Sequence, residues 1–196
     1  MPYAVLMARW EPNASERLAR AALELFAERG YEDTTVIDIA QRAGLTKSTF
    51  FRHFQDKREV LFGDGRMTGL LVEAIAAAPA GAAPLDAVAH ALEALGSEVF
   101  TPARREFVVR RQAVIAANPE LREREALKGL GLIAAMAGAL TRREIPEPAA
   151  WVAADLGALA WKVAYERWCG LASDDDFGEA ARQALGEVRA AARALA

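Results

Sequence analysis

The seven residues Lys47 to His53, KSTFFRH, place a lysine, two hydroxyls, two rings, a guanidinium and an imidazole on consecutive positions. No pair among them is set up for acid–base or nucleophilic work. Hydroxyls and cations hold phosphate oxygens, a guanidinium matches guanine O6 and N7, and a ring can touch a thymine methyl or a sugar. Lys57 follows shortly after. Other kinds of chemistry have little to work with. His53 and His90 are the only histidines, and they lie in different regions; Cys169 is the only cysteine. There is no His/Cys/Glu metal spacing, no Gly-rich phosphate loop and no nucleophile elbow. The acids of SDDD, Ser173 to Asp176, suit a helix start without any metal. The sequence therefore leads us to expect no metal, no cofactor and no catalytic residues.

The elements that must position these groups are helical. No convincing strand alternation occurs, and apolar residues recur at steps of three and four nearly throughout. Leu18, Ala22, Leu25 and Phe26 make one face of a first helix, with Asn13 and Glu16 at its start and Gly30 at its stop. Thr35-x-x-Asp38 starts a second helix, and Gly44 ends it. Thr46 caps a third, about Lys47 to His53. Two short capped helices around an Ala-Gly-Leu turn form a helix-turn-helix pattern. Leu45, Phe50 and Phe54 then point back onto the first helix. Lys47, Ser48, Thr49, Phe51, Arg52 and His53 are left around the exposed side, where such a helix fits a major groove. The same geometry also occurs in bundles with no nucleic-acid partner.

Asp56-x-x-Glu59 is read as the start of a fourth helix, running through Leu70 and Val72 towards Ala78. Breaks follow at Pro79–Pro84 and Glu144–Pro148. Between and beyond them we expect helices at Leu85–Val99, Pro102–Ala117 with Thr101 as cap, Pro119–Thr141, Trp151–Cys169 and Phe177–Leu195. A Ser173/Asp176 capping box lies before the last. The predicted fold is all-α with about nine helices. The predicted domains are a DNA-binding helix-turn-helix domain at 1–58 and a second helical domain at 59–196.

Net charge is −3 and the pI about 5.6, which argues against general nucleic-acid affinity. The charge is uneven, however. Arg42, Lys47, Arg52, Lys57 and Arg58 stand against Asp56 alone, while from Gly63 onward acids outnumber bases 18 to 15. A local basic patch on an acidic protein still binds phosphate. A single cysteine, no run of 18 apolar residues and no charged n-region point to a cytoplasmic, reduced setting. Met7 is a plausible alternative start. Arg9 and Trp10 form either a minor-groove arm or a frayed terminus.

In the second half, Trp151, Ala154, Ala158, Trp161, Tyr165 and Trp168 form one stripe of a helix, expected to be core. Val152, Leu156, Leu159 and Val163 form another. A helix apolar on two sides is buried on two sides. One surface is its own domain and the other a partner subunit. Phe177, Ala181, Leu185, Val188, Ala192 and Leu195 line one face of the last helix, also suited to that interface.

Ala21 to Phe62, AALELFAERGYEDTTVIDIAQRAGLTKSTFFRHFQDKREVLF, resembles the N-terminal domain of the TetR/AcrR family of transcriptional regulators. The ALELFAERGY helix end, TTV-x-x-IA-x-x-AG, a recognition helix ending in HF, and DK-x-x-x-L carry the likeness. The resemblance implies a palindrome-binding homodimer, joined through its last two helices and usually a repressor relieved by a small molecule. It implies phosphate contacts at Thr35, Thr46 and Lys57, and base or backbone contacts at Lys47, Ser48 and Thr49. Phe51 and His53 stand where the family often has Tyr, so Phe51 should make apolar contact only. Arg52 should reach a guanine edge or a phosphate. A pocket is implied among Met67, Leu71, Phe107, Arg111, Leu132, Met136, Trp161 and Tyr165, for an apolar effector. Arg111 or Asp155 would be its polar group, unless each serves a surface ion pair. Arg110–Arg143 looks more loosely like actinobacterial members near the mycofactocin regulator, which hints at a long apolar or acyl-carrying ligand. Two alternatives stay open: a helix-turn-helix dimer that senses nothing, and a helical-bundle enzyme.

Overall fold

The computed structural model describes residues 14–63, 65–170 and 176–195. Asn13, Arg9, Trp10, Met7 and Ser173, each given a role above, lie outside the described residues. The chain is all-α. Nine α-helices and two 3-10 turns are present among the described residues, with no strand. It divides into two compact units, residues 1–64 and 65–196.

In the first unit α1 spans Ala14–Arg29, α2 Val36–Arg42 and α3 Lys47–His53, followed by a 3-10 turn at Lys57–Leu61. The apolar face of α1 is buried as its spacing requires, with Leu18, Ala22, Leu25 and Phe26 all within the core. Gly30, at φ 88°, ends α1 in the left-handed conformation that glycine adopts freely. Its N–H bonds Phe26 O at 3.0 Å. Thr35 and Asp38 form a reciprocal capping box on α2. Gly44, at φ 67°, reverses the chain, and Leu45 N–H returns to Ala40 O at 2.8 Å. Helix α3 is closed by Phe50 and Phe54, both buried, with Phe50 fully so.

The expected fourth helix does not start at Asp56. That residue caps only the 3-10 turn, accepting from Arg58 N–H and Glu59 N–H. Gly63 (φ 71°) and Gly65 (φ 86°) then take the chain through left-handed conformations that a continuing helix cannot contain. The turn packs on α1 and belongs to the first unit, so the units divide six residues beyond the expected border at 58/59.

In the second unit α4 spans Arg66–Ala77, α5 Pro84–Glu98, α6 Arg105–Ala117, α7 Pro119–Thr141, α8 Glu147–Cys169 and α9 Phe177–Ala194. The expected helix from Pro102 begins as a 3-10 turn, Pro102–Arg104, and the Thr101 side chain makes no capping bond. Helix α8 begins a turn earlier than expected: Pro146 precedes it as the N-cap residue, and Pro148 sits in its first turn, where no N–H partner is lost. Helix α8 packs on α5, α7 and α9, and α5 also packs on α4 and α9.

Of the stripe expected to be core, α8 buries Ala154 and Trp168 and partly buries Ala158, Trp161 and Tyr165, while Trp151 lies outside. The helix's inner face is Ala150, Ala153, Ala154, Gly157, Ala160, Ala164 and Trp168. Trp151 is 42% exposed, Val152 59% and Leu159 49%. Small residues let α8 lie against α5 so closely that a Cβ on Gly157 would fall 2.4 Å from Val88 Cγ1. Large rings fit only near the far end. There Phe100 stacks on Phe177 (4.3 Å between centroids) and meets Trp168 (5.6 Å) and Tyr165 (5.7 Å) edge-on. On α9, Phe177 through Val188 face their own unit's core, while Leu195 is 89% exposed. Most of that face is therefore unavailable to a partner subunit.

Candidate nucleic-acid interface

The interface starts from α3. Thr46 Oγ1 accepts Thr49 N–H at 3.2 Å, which fixes where the helix begins. It also lies 2.9 Å from both Ser48 Oγ and Thr49 Oγ1, so three hydroxyls gather at the helix start. Thr46, Lys47, Ser48, Phe51 and Arg52 are exposed, and Thr49 and His53 half-buried. Phe51 is 47% exposed, and the Lys47 ammonium stands 5.9 Å from its ring centroid. Its neighbour Phe50, edge-on at 5.5 Å, anchors the helix from the other side. The adjacent phenylalanines thus divide into one core ring and one presented ring.

The five cations of the basic segment are not equivalent. Arg42 forks onto Glu28 (2.8 and 2.7 Å) and reaches Glu24 (3.4 Å). This pairing holds the Glu28 carboxyl below its usual range, chiefly through the hydrogen bond from Arg42. Arg58 pairs with Asp56 at 2.6 Å. Lys57 Nζ donates to Tyr31 O at 2.7 Å and sits 3.9 Å from the Tyr31 ring centroid. Lys57 has backbone carbonyls in place of a carboxylate, and only Lys47 and Arg52, both on α3, have neither an ion-pair nor a hydrogen-bond partner for their charged groups among the described residues. Folding therefore narrows a diffuse basic segment to two presented charges beside hydroxyls and a ring.

The start of α2 is also exposed at Thr35, and Ile37 beside it is 45% exposed. Asp38 holds this end together. Its Oδ2 accepts Thr35 N–H at 2.9 Å and Thr35 Oγ1–H at 2.6 Å, and it pairs with Arg29 at 2.7 Å. The carboxyl is held below its usual range by the Thr35 hydroxyl first and the Thr35 backbone second. Burial opposes ionisation of Asp56. Its bonds from the Arg58 side chain and the Glu59 and Arg58 backbones outweigh that, so its pKa is lowered too. Arg17, not expected as a site residue, donates to Ala43 O at 2.5 Å and holds the C-terminal end of α2. Only its tertiary position reveals this, since an arginine on α1 looks like any solvated charge.

In the second unit Leu71, Leu132 and Met136 are buried in the core, and Met67, Phe107, Trp161 and Tyr165 are partly buried against it. Arg111 pairs with Glu125 at 3.4 Å, and Tyr165 Oη–H donates to Gln112 at 3.3 Å. Burial pushes the Tyr165 phenol up and, to a smaller extent, the Cys169 thiol, so neither ionises near neutrality. Trp161 Nε1–H is buried with no acceptor. Asp155 is exposed. Among the described residues no cluster of three metal-ligating side chains is present and no helix is long and apolar enough to cross a membrane.

Residues 18–63 match the family model described as bacterial regulatory proteins, tetR family. The HTH-type transcriptional regulator TcmR of Streptomyces glaucescens is 42% identical over 81 residues, 41% of this chain and 36% of that protein. MftR of Mycobacterium tuberculosis, named for mycofactocin biosynthesis regulation, is 34% identical over 64 residues, 33% of this chain and 32% of its own length. The chain thus spans about a third of the length of these relatives (36% and 32%). Thermus thermophilus FadR, a TetR-family repressor solved with lauroyl-CoA, superposes with a TM-score of 0.51 at 24% identity, covering 89% of this chain and 93% of that one. SmeT, repressor of the Stenotrophomonas maltophilia efflux pump SmeDEF, gives 0.53 at 18% identity, covering 90% and 89%. At such identities the structural likeness is one of fold. The family match falls on the helix-turn-helix unit, residues 18–63.

Proposed function

We propose that this protein is a dimeric repressor that reads a palindromic operator through α3 and leaves it when a small apolar effector binds the second unit. The observation that carries the reading is the surface of α3. Lys47 and Arg52, the two cations of the segment whose charged groups make neither an ion pair nor a hydrogen bond among the described residues, stand with the Thr46–Ser48–Thr49 hydroxyls and the exposed Phe51 ring on one capped helix. Arg52 and Lys47 supply base or phosphate contacts, Thr35 and Thr46 phosphate contacts, Ser48 and Thr49 polar contacts, and Phe51 and His53 ring contacts.

Dimerisation through α8 and α9 is supported by the apolar side chains left outside. A groove of about 310 Å3 is lined by Leu156, Leu159, Val163, Val188, Ala191 and Leu195 among others, and Val152, exposed on the same face of α8, extends it. Two-fold symmetry of such an interface calls for a palindromic site. The effector site falls among Met67, Leu71, Phe107, Arg111, Leu132, Met136, Trp161 and Tyr165. The unpaired Trp161 N–H supports it, because an acceptor on an otherwise apolar ligand would satisfy that donor. The site of action is the cytoplasm, where the operator is. The test is a titration of the full chain with duplexes tiling the DNA upstream of its own gene, against a scrambled duplex. Saturable binding to one palindromic tile, weakened by roughly 1–3 kcal/mol in Arg52→Ala, supports the reading. Equal, salt-sensitive binding to every tile reduces it to non-specific affinity.

A further inference from the structure

Lys57 occupies a position that the family resemblance reads as a phosphate anchor, and its surroundings say otherwise. Its ammonium donates to Tyr31 O at 2.7 Å and approaches Glu32 O at 3.5 Å. It lies over the Tyr31 ring, 3.9 Å from the centroid. The ring is itself fixed, buried and edge-on to Phe26 at 5.1 Å. A compact ammonium engaged by two carbonyls and an aromatic face has little left to offer a phosphate. The turn that it holds leads directly into the interface. Thr34 Oγ1–H donates to Gly30 O at 2.8 Å within the same turn, and the next residue, Thr35, caps α2. Lys57 comes just after α3, so one side chain ties the exit from the reading helix to the entry of α2.

We propose that Lys57 is a positioning residue that clamps the α1–α2 turn and thereby sets Thr35 and α2, and that it is not itself a contact to DNA. The DNA half of this statement rests on the function proposed above. Lys57→Met keeps the stem and removes the charge and the donor. In the full chain without DNA, amide exchange at Tyr31 to Thr35 should quicken roughly tenfold, as expected for losing one charge-assisted hydrogen bond. On the preferred duplex, affinity and the ratio over a scrambled duplex should both fall, while the slope of log affinity against log salt stays as in the wild type. A phosphate contact gives the opposite pattern. The slope becomes shallower by about 0.9, the ratio holds, and exchange at Tyr31 to Thr35 is unchanged; that pattern overturns the proposal. Failure of the DNA reading is separately visible as a wild type that binds no duplex. The exchange measurement still decides for or against the clamp, because it needs no DNA.

Discussion

The two units solve different packing problems. The first has short helices, two of seven residues, and each is too short to hold itself together. Its geometry is set by local polar devices: the Thr35/Asp38 box, the Thr46 cap, and Arg17 and Lys57 on backbone carbonyls. A few buried rings, Phe26, Tyr31, Phe50 and Phe54, supply the cohesion. The second unit has helices of up to 23 residues, and long helices can be held by their faces. Its cohesion comes from close approach of alanine and glycine surfaces, as where Gly157 meets Val88 and Gly96 meets Gly178. A unit that presents side chains outward is built around caps and rings. A unit of long helices is built around small residues, which leave large apolar ones such as Trp151, Val152 and Leu159 outside.

The largest effect that should sharpen this contrast is in the first unit. Phe50 is fully buried, and Phe50→Ala should cost about 3–5 kcal/mol. Urea unfolding followed by probes in each unit should show the loss confined to the first. An equal shift in both would break the comparison by showing one cooperative core. Next comes Gly96→Ala. Its Cβ would lie 2.8 Å from Gly178 N and 3.1 Å from Gly178 Cα, backbone atoms that cannot step aside. A loss of about 1–3 kcal/mol is expected in the second unit. Gly186→Ala on α9 meets nothing within 4 Å, so it should be neutral or stabilising by up to about 1 kcal/mol. Matching thermal shifts for the two glycine variants would refute the account of close approach.

Smaller is the Thr46 cap. Thr46→Ala should lower the first unit's stability by about 1 kcal/mol and leave the second untouched, as read by the same two-probe unfolding. The smallest effect is the pH response. Asp38 and Asp56 both have lowered pKa values in the fold. Their contribution is therefore fully present above the unfolded carboxylate value of about 3.9 and is lost as pH falls through the folded values. The first unit's melting temperature should drop on acidification below about pH 4, and Asp38→Asn with Asp56→Asn should flatten that drop.

The short helices were legible because caps are local. Thr35, Asp38, Thr46 and Gly44 sit within a few residues of the groups they satisfy, so their spacing in the chain is their spacing in space. Asp56 misled for the same reason: its cap is real, but the two left-handed glycines downstream decided that only a 3-10 turn would follow. The α8 stripe misled at Trp151 alone, because periodicity shows that a helix has apolar faces and cannot show which neighbour comes close enough to exclude a ring. Phe100 sits at a helix end with no periodic partner, so nothing in the sequence marked it as the centre of an aromatic cluster.

By itself the sequence determined the helical class, the helix-turn-helix pattern, and the division of Phe50 inward from Phe51 outward. Each follows from residues within a turn or two of one another. Tertiary structure alone decided which cations remain presented. Arg42 is drawn to Glu28, fourteen residues away, and Lys57 to Tyr31, twenty-six away. Charge pairing over such separations depends on where the helices cross, and only the folded chain fixes that.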